Sequence, residues 1–416
     1  MFIRRAIGIV ILVMINASIT FAQLEPTPPI DVSTYQTPIT TENAASITEI
    51  TTLSLFDDFM FIGPLDISDS GRYVAVSGTT FSTIEDVRNS HITMEILFDT
   101  TLPPVEDDAQ VPRRVVVWDL ETGTTSRFDL FAPVGVTVPE GEYVDAEDVA
   151  ISGDGSIVAA SYFNEGIMYI TAWDISSGEA IFTYSGDIRE GIPSDLYLNE
   201  DGTQLIANMS ATISVWDLTT GSRLYQFSDF PYEGSISGID VVGSRIYYAN
   251  ERYIHVWDLS TGELLRTYQL PEYSDRSVDD LYLFNTDLNG IAVSEDESFA
   301  VTVSHRDGRI RVWDLTSEVW EGEWENWHEA ITVYHHPDLT HSRYVTLNAA
   351  EDIAIVDGNS VITAVSLTTG DIVAQYFQDN RLGGSQIAVN KTGSIFVAGP
   401  TQPYPSLVSV MALTED

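Results

Sequence analysis

The 416-residue chain contains no cysteine and a single lysine, Lys391. The first absence excludes disulfides, thiolate metal sites, cysteine nucleophiles and lipid attachment at an N-terminal cysteine, so stability must come from a large core. Positive charge is scarce as well: 19 Lys and Arg stand against 62 Asp and Glu, a net charge of −43. Such a chain is repelled by nucleic-acid backbones. Its acidity fits solubility in a saline or exposed setting, or a functional surface for cationic or calcium-bearing partners.

Long apolar runs are missing beyond the first two dozen residues. The start, "MFIRRAIGIVILVMINASITFAQ", has Arg4 and Arg5, an apolar stretch and small residues Thr20 and Ala22. It reads as a secretory signal peptide over 1–22, cleaved after Ala22. An uncleaved anchor helix needs about 20 apolar residues, and Asn16 and Ser18 interrupt this run. The mature chain is therefore expected to be secreted or extracytoplasmic, in a periplasm or on a cell surface, with no membrane span. Residues 23–47 are rich in Pro and Thr without a hydrophobic period, which predicts an extended linker.

Catalytic signatures are also absent. There is no G-x-S-x-G elbow, no phosphate loop around Lys391, and no D-x-[DN]-x-[DN]-G calcium loop in acidic turns such as "SGDGS" and "NEDGT".

What the chain does have is repetition. "VVVWDLETG", "TAWDISSG", "SVWDLTTG", "HVWDLSTG" and "RVWDLTSE" place Trp118–Asp119, Trp173–Asp174, Trp216–Asp217, Trp257–Asp258 and Trp313–Asp314 in one pattern. Upstream of each runs a pair of short apolar strands around a Gly/Asp/Ser/Asn turn, and two further pairs lead into "TAVSLTTG" and "VSVMALTED". Placing Val365 and Met411 at the tryptophan position gives steps of 55, 43, 41, 56, 52 and 46 residues, near the roughly 40 to 45 of a four-stranded propeller blade. Alternation of period two, bounded by turn residues, supports strands throughout.

The repeats resemble WD-repeat β-propellers of a degenerate, secreted bacterial type over 48–416. The resemblance implies an all-β fold: a seven-bladed propeller of four-stranded antiparallel blades. Because the chain stops soon after the seventh strand c, "SITEITTLSL" (46–55) is expected to complete the last blade beside Val410. In each motif the tryptophan should pack between blades, the aspartate should accept turn amides and the glycine should close the hairpin with positive φ. Asp307 matches the b to c turn aspartate of regular WD repeats, but its blade lacks the matching histidine, so apolar packing should replace the polar network. His255 should alternate to the far face of its strand.

Function is sought where the repeat is broken. Extra length falls in residues 79–110, in "LPEYSDRSVDDLYLFNTDLNG" before blade five, and in "VWEGEWENWHEAITVYHHPDLTHS", read as the connection into blade six. In a propeller the b to c and d to a loops emerge on the same face, so all three insertions should crowd one rim, presenting Trp320, Trp324, Trp327, Tyr334, His335 and His336 to a partner. Trp320 and Trp324 could instead belong to an outer strand. Four of the seven histidines, His328, His335, His336 and His341, fall in the third insertion; with Glu329 or Asp338 they could ligate zinc or nickel. No cofactor is otherwise expected, calcium or a transition metal being the exceptions. The reading is a monomeric, non-catalytic interaction platform for a protein or cell-envelope ligand. The alternative is a propeller enzyme, lactonase-like or quinone-dependent dehydrogenase-like, with a metal or cofactor near the central channel.

Overall fold

The computed structural model describes residues 29–416 except 55–60, 80–113, 137–145, 188–190, 192, 194, 210–211, 228–237, 251–252, 270–287, 305–306, 319–329, 341, 358–360, 378–385, 400–406 and 414–416. It is an all-β propeller: seven antiparallel sheets of four strands, arranged in a ring. Blades one to six span 61–129, 146–187, 195–227, 238–269, 288–335 and 345–377. Within each, the strands, called a to d, are hydrogen-bonded in chain order. Strand a of blade one lies against strand a of both blade two and blade seven, so the a strands form the inner wall. Among the described residues no helix is long and apolar enough to cross a membrane.

Blade seven draws on both ends of the chain. Its strands Gln386–Val389, Ile395–Gly399 and Leu407–Leu413 are completed by β1, Ile47–Ser54, which pairs antiparallel with the third of them. Thr51 stands opposite Val410 and Leu53 opposite Val408. The N-terminal strand thus closes the ring, and the open edge that strand c would leave is paired.

The motif tryptophans fill the seams. Trp173, Trp216, Trp257 and Trp313 are 8% exposed or less. Phe128 of blade one meets Trp173 at 5.9 Å, Tyr184 of blade two meets Trp216 at 5.2 Å, and Phe227 of blade three meets Trp257 at 4.9 Å between ring centroids. Each burial of this size is worth about 2–3 kcal/mol. At Trp118 the neighbouring outer strand is β1, and Leu53 takes the place of the aromatic partner.

The turn after each tryptophan follows from its aspartate. Asp217 Oδ1 accepts the amides of Thr219 at 2.8 Å and Thr220 at 3.2 Å, and Asp258 Oδ1 those of Ser260 at 2.7 Å and Thr261 at 2.9 Å. The Thr219 hydroxyl, for Asp217, and the Ser260 hydroxyl, for Asp258, donate as well, holding both carboxyls below the usual carboxylate range.

Residues 29–46, part of the stretch 23–47 expected as an extended linker, pack on the ring. Ile30, Val32, Ile39 and Ala44 are buried. The composition is that of a linker, but Val32, Ile39 and Ala44 find seats between blades.

Candidate functional site

In a blade of four antiparallel strands the b to c and d to a connections leave from one face, and the a to b and c to d turns from the other. Residues 80–113 join strands Tyr73–Thr79 and Arg114–Asp119 of blade one, and 270–287 join Leu264–Gln269 to Leu288–Val293. Both long connections depart from the b to c face; they lie outside the described residues.

The third insertion does not join them there. Strand d of blade five is Ile331–His335, paired with strand c Arg309–Asp314. The tryptophan-rich stretch before it is therefore a c to d connection, leaving after Asp314 and returning at Ala330 on the opposite face. The expectation that three insertions crowd one rim is corrected to two. The physical reason is local: Ile331, Val333 and Tyr334 supply the apolar content of an outer strand, which the adjacent histidines disguise as a polar loop. Trp320, Trp324, Trp327, His328 and His341 lie outside the described residues.

The other candidates are separated by their environments. His335 is exposed at the end of strand d. His336 places Nε2 2.8 Å from the carbonyl of Gly370, and Tyr334 donates its hydroxyl to the carbonyl of Leu367 at 2.7 Å. Both acceptors belong to the c to d turn of blade six, so Tyr334 and His336 tie two blades together. The same device recurs where Tyr268 of blade four donates to the Leu315 carbonyl at 3.0 Å. Among the described residues no group of three His, Asp or Glu converges as a metal site.

His255 is fully buried, with Nδ1 2.9 Å from Thr267 Oγ1 and its ring stacked on Tyr248 at 4.7 Å and on Tyr253 at 5.6 Å. Burial pulls its pKa down to about 4, so the imidazole is neutral at physiological pH. Sealed from solvent, it has no access to a substrate.

Blade five keeps a polar interior of its own. Trp313 Nε1 donates to Thr302 Oγ1 at 2.9 Å, and the fully buried Arg311 donates to Asp307 Oδ2 at 2.6 Å. Asp307 is thus held by an arginine two residues before the tryptophan. That strand-c position is buried and polar in most blades: Thr171, Ser214, His255, Arg311, Thr363 and Ser409 occupy it. The expectation that packing alone replaces the network does not hold for blade five.

The most distinctive chemistry lies on the inner wall. Asp66 of blade one accepts the amide of Ile151 in blade two at 2.9 Å, Asp148 of blade two that of Leu196 in blade three at 2.6 Å, and Asp240 of blade four that of Val293 in blade five at 2.7 Å. Each carboxylate staples one a strand to the next. Burial pushes Asp66 up to about 7 and raises Asp240, against the pull of the amide donors; Asp148 is raised well above the usual carboxylate range by burial and by the neighbouring charges of Asp195 and Asp66. Asp174, Asp217 and Asp258 of the motif and the wall aspartates therefore shift in opposite directions, the former lowered by donors in open turns and the latter raised by enclosure. Sequence reasoning missed the wall residues, although "LDIS", "EDVAIS" and "IDVV" each place an acid inside an otherwise apolar strand a.

No family model matches the chain. Among curated proteins it is similar to Autophagy-related protein 16 of Arabidopsis thaliana, with 27% identity over 175 residues. The match takes in 39% of this chain and 30% of that protein, under a third of the relative's length.

Proposed function

We propose that the chain is an exported, non-catalytic interaction platform, a degenerate WD-repeat propeller that binds a protein or cell-envelope ligand through its b to c face. The observation that carries this reading is the departure of both long connections, 80–113 and 270–287, from one face of a rigid ring. Propellers commonly mediate protein interaction, and long loops on a rigid scaffold are where binding concentrates. Tyr334 and His336 are held in seam contacts with the c to d turn of blade six rather than presented to a partner, which leaves the two connections as the contact elements. The name of the similar protein, Autophagy-related protein 16, places it in a cellular process and names no reaction.

The reading is tested by replacing residues 80–113 with a short Gly-Ser connection and crosslinking both proteins to the native envelope fraction. Loss of the crosslinked species, with an unchanged circular dichroism spectrum, is the expected outcome. The same species captured by both proteins would remove this face from the assignment.

A further inference from the structure

The segment before β1 is gripped at regular points along its course. Ile30 donates its amide to the carbonyl of Leu120 at 2.7 Å, in the c to d turn of blade one. Val32 and Tyr35 pack into the cluster that holds Trp118, Ile395 and Val408, at the seam of blades one and seven. Ile39 is fully buried; its amide donates to the carbonyl of Gly393 at 3.0 Å in blade seven, and its carbonyl accepts from Asn348 Nδ2 at 2.6 Å in blade six. Thr41 Oγ1 reaches Asp352 Oδ2 at 3.2 Å, and Ala44 ends in the cluster of Ile353 and Phe396. The path crosses blades one, seven and six on the a to b face, opposite the long connections.

Main-chain bonds alternating with aliphatic anchors are how an extended peptide is recognised by a folded surface. Both anchoring isoleucines follow a proline, Pro29–Ile30 and Pro38–Ile39. Each proline fixes its own φ and restricts the residue before it, and so reduces the entropy lost when the adjoining isoleucine is seated. Among the described residues, main-chain bonds join the segment to the ring at Ile30 and Ile39, whereas β1 pairs with its neighbour at seven positions from Ile47 to Ser54. Sparse bonding sets a lower opening free energy.

We propose that residues 29–46 are a detachable strap, an intrachain ligand, and that its seat on blades one, seven and six is a binding site for a peptide carrying two Pro-Ile anchors and the short 3-10 turns Val32–Thr34 and Ala44–Ser46. The strap opens without the β1 clasp. Once open, its seat takes the same segment supplied in trans.

Two measurements test this. In hydrogen exchange on the unmodified full chain, the amides of Ile30 and Ile39 exchange at least tenfold faster than the β1 amides bonded to Leu407–Leu413; equal rates would show that strap and clasp open as one unit and overturn the proposal. In the second, a labelled synthetic peptide of residues 29–46 is titrated into the native chain and into Ile30→Asp/Ile39→Asp, whose strap is ejected by its buried carboxylates. Fluorescence anisotropy should show binding to the variant at least tenfold tighter than to the native chain, and none for a peptide carrying the same two substitutions. A folded variant that ignores the native peptide, or equal binding by both proteins, refutes the seat. Should the variant not fold, the exchange rates of the native chain still decide.

Discussion

Gly370 lies against the ring of Tyr334 so closely that a Cβ at position 370 would stand 2.1 Å from Tyr334 Cδ1. The turn glycine of blade six thus serves a seam as well as a turn. Its φ is +75°, and that of Gly221 in blade three is +69°, where an added Cβ would meet nothing within 4 Å. Gly221→Ala should therefore cost only left-handed strain, about 1 kcal/mol. Gly370→Ala adds overpacking against Tyr334, for a total of about 3 kcal/mol. Urea denaturation of the two variants compares them directly; equal losses would mean that the glycine is kept for its turn alone.

The two sets of aspartates give stability a maximum in pH. Burial pushes Asp66 and Asp357 up to about 7 and raises Asp148 and Asp240, so between about 4 and 7 the native state holds protons that the unfolded chain has released. Stability from these groups is full at the acid end of that window and falls as pH rises through it. Asp174, Asp217, Asp258 and Asp296 are held low by hydrogen bonds, first from Ser176, Thr219, Ser260 and Ser298 respectively. Their contribution is present above about 4 and is lost as pH falls through the depressed values. The urea midpoint is expected to peak near pH 5, and Asp66→Asn should flatten its alkaline limb. Asp66 borders the solvent of the inner wall, so the change at this position is about 1–2 kcal/mol. A midpoint that climbs steadily to pH 8 would contradict the enclosure of the wall carboxyls.

The blades were legible because their signals are local: alternation, the Trp–Asp–Gly spacing and an orphan run whose Thr51 meets Val410. What was hidden depends on distant neighbours. Ile331–His335 is an outer strand only because Arg309–Asp314 pairs with it, and without that partner its histidines read as a loop. Ile30 and Ile39 are anchors only because Leu120 and Gly393 offer carbonyls from two other blades. Asp66 is raised by enclosure on a wall that several blades build, while Asp217, whose donors lie within three residues, could be assigned its turn role from "WDLTTG" alone.

Position along the blade radius decides what an apolar side chain is worth. Trp216 is 2% exposed, with Phe182 and Tyr184 of blade two at 6.0 and 5.2 Å. Leu224, in the irregular stretch of the outer strand opposite it, is 40% exposed. Trp216→Ala should cost about 3–5 kcal/mol, since it removes an interblade wedge and leaves a cavity. Leu224→Ala should stay within about 0.5 kcal/mol. Equilibrium unfolding measures both, and comparable losses would mean that Trp216 does not bear on the seam.

Buried and exposed positions of β1 differ in what they contribute to ring closure. Leu53 is fully buried opposite Val408 and packs with Trp118, whereas Thr48, opposite Ala412, is exposed. Leu53→Asp would place a charge in that seam, where neither water nor a cation meets it, at a cost of several kcal/mol. The strand then detaches, leaving the edge of Leu407–Leu413 open to pairing with another chain. Hydrogen exchange should report loss of protection at Val408 and Val410, and size-exclusion chromatography a shift to larger species. Thr48→Asp changes the same strand on its solvent side and should leave both readouts as they are. If the two variants behave alike, β1 is not the element that holds the ring shut.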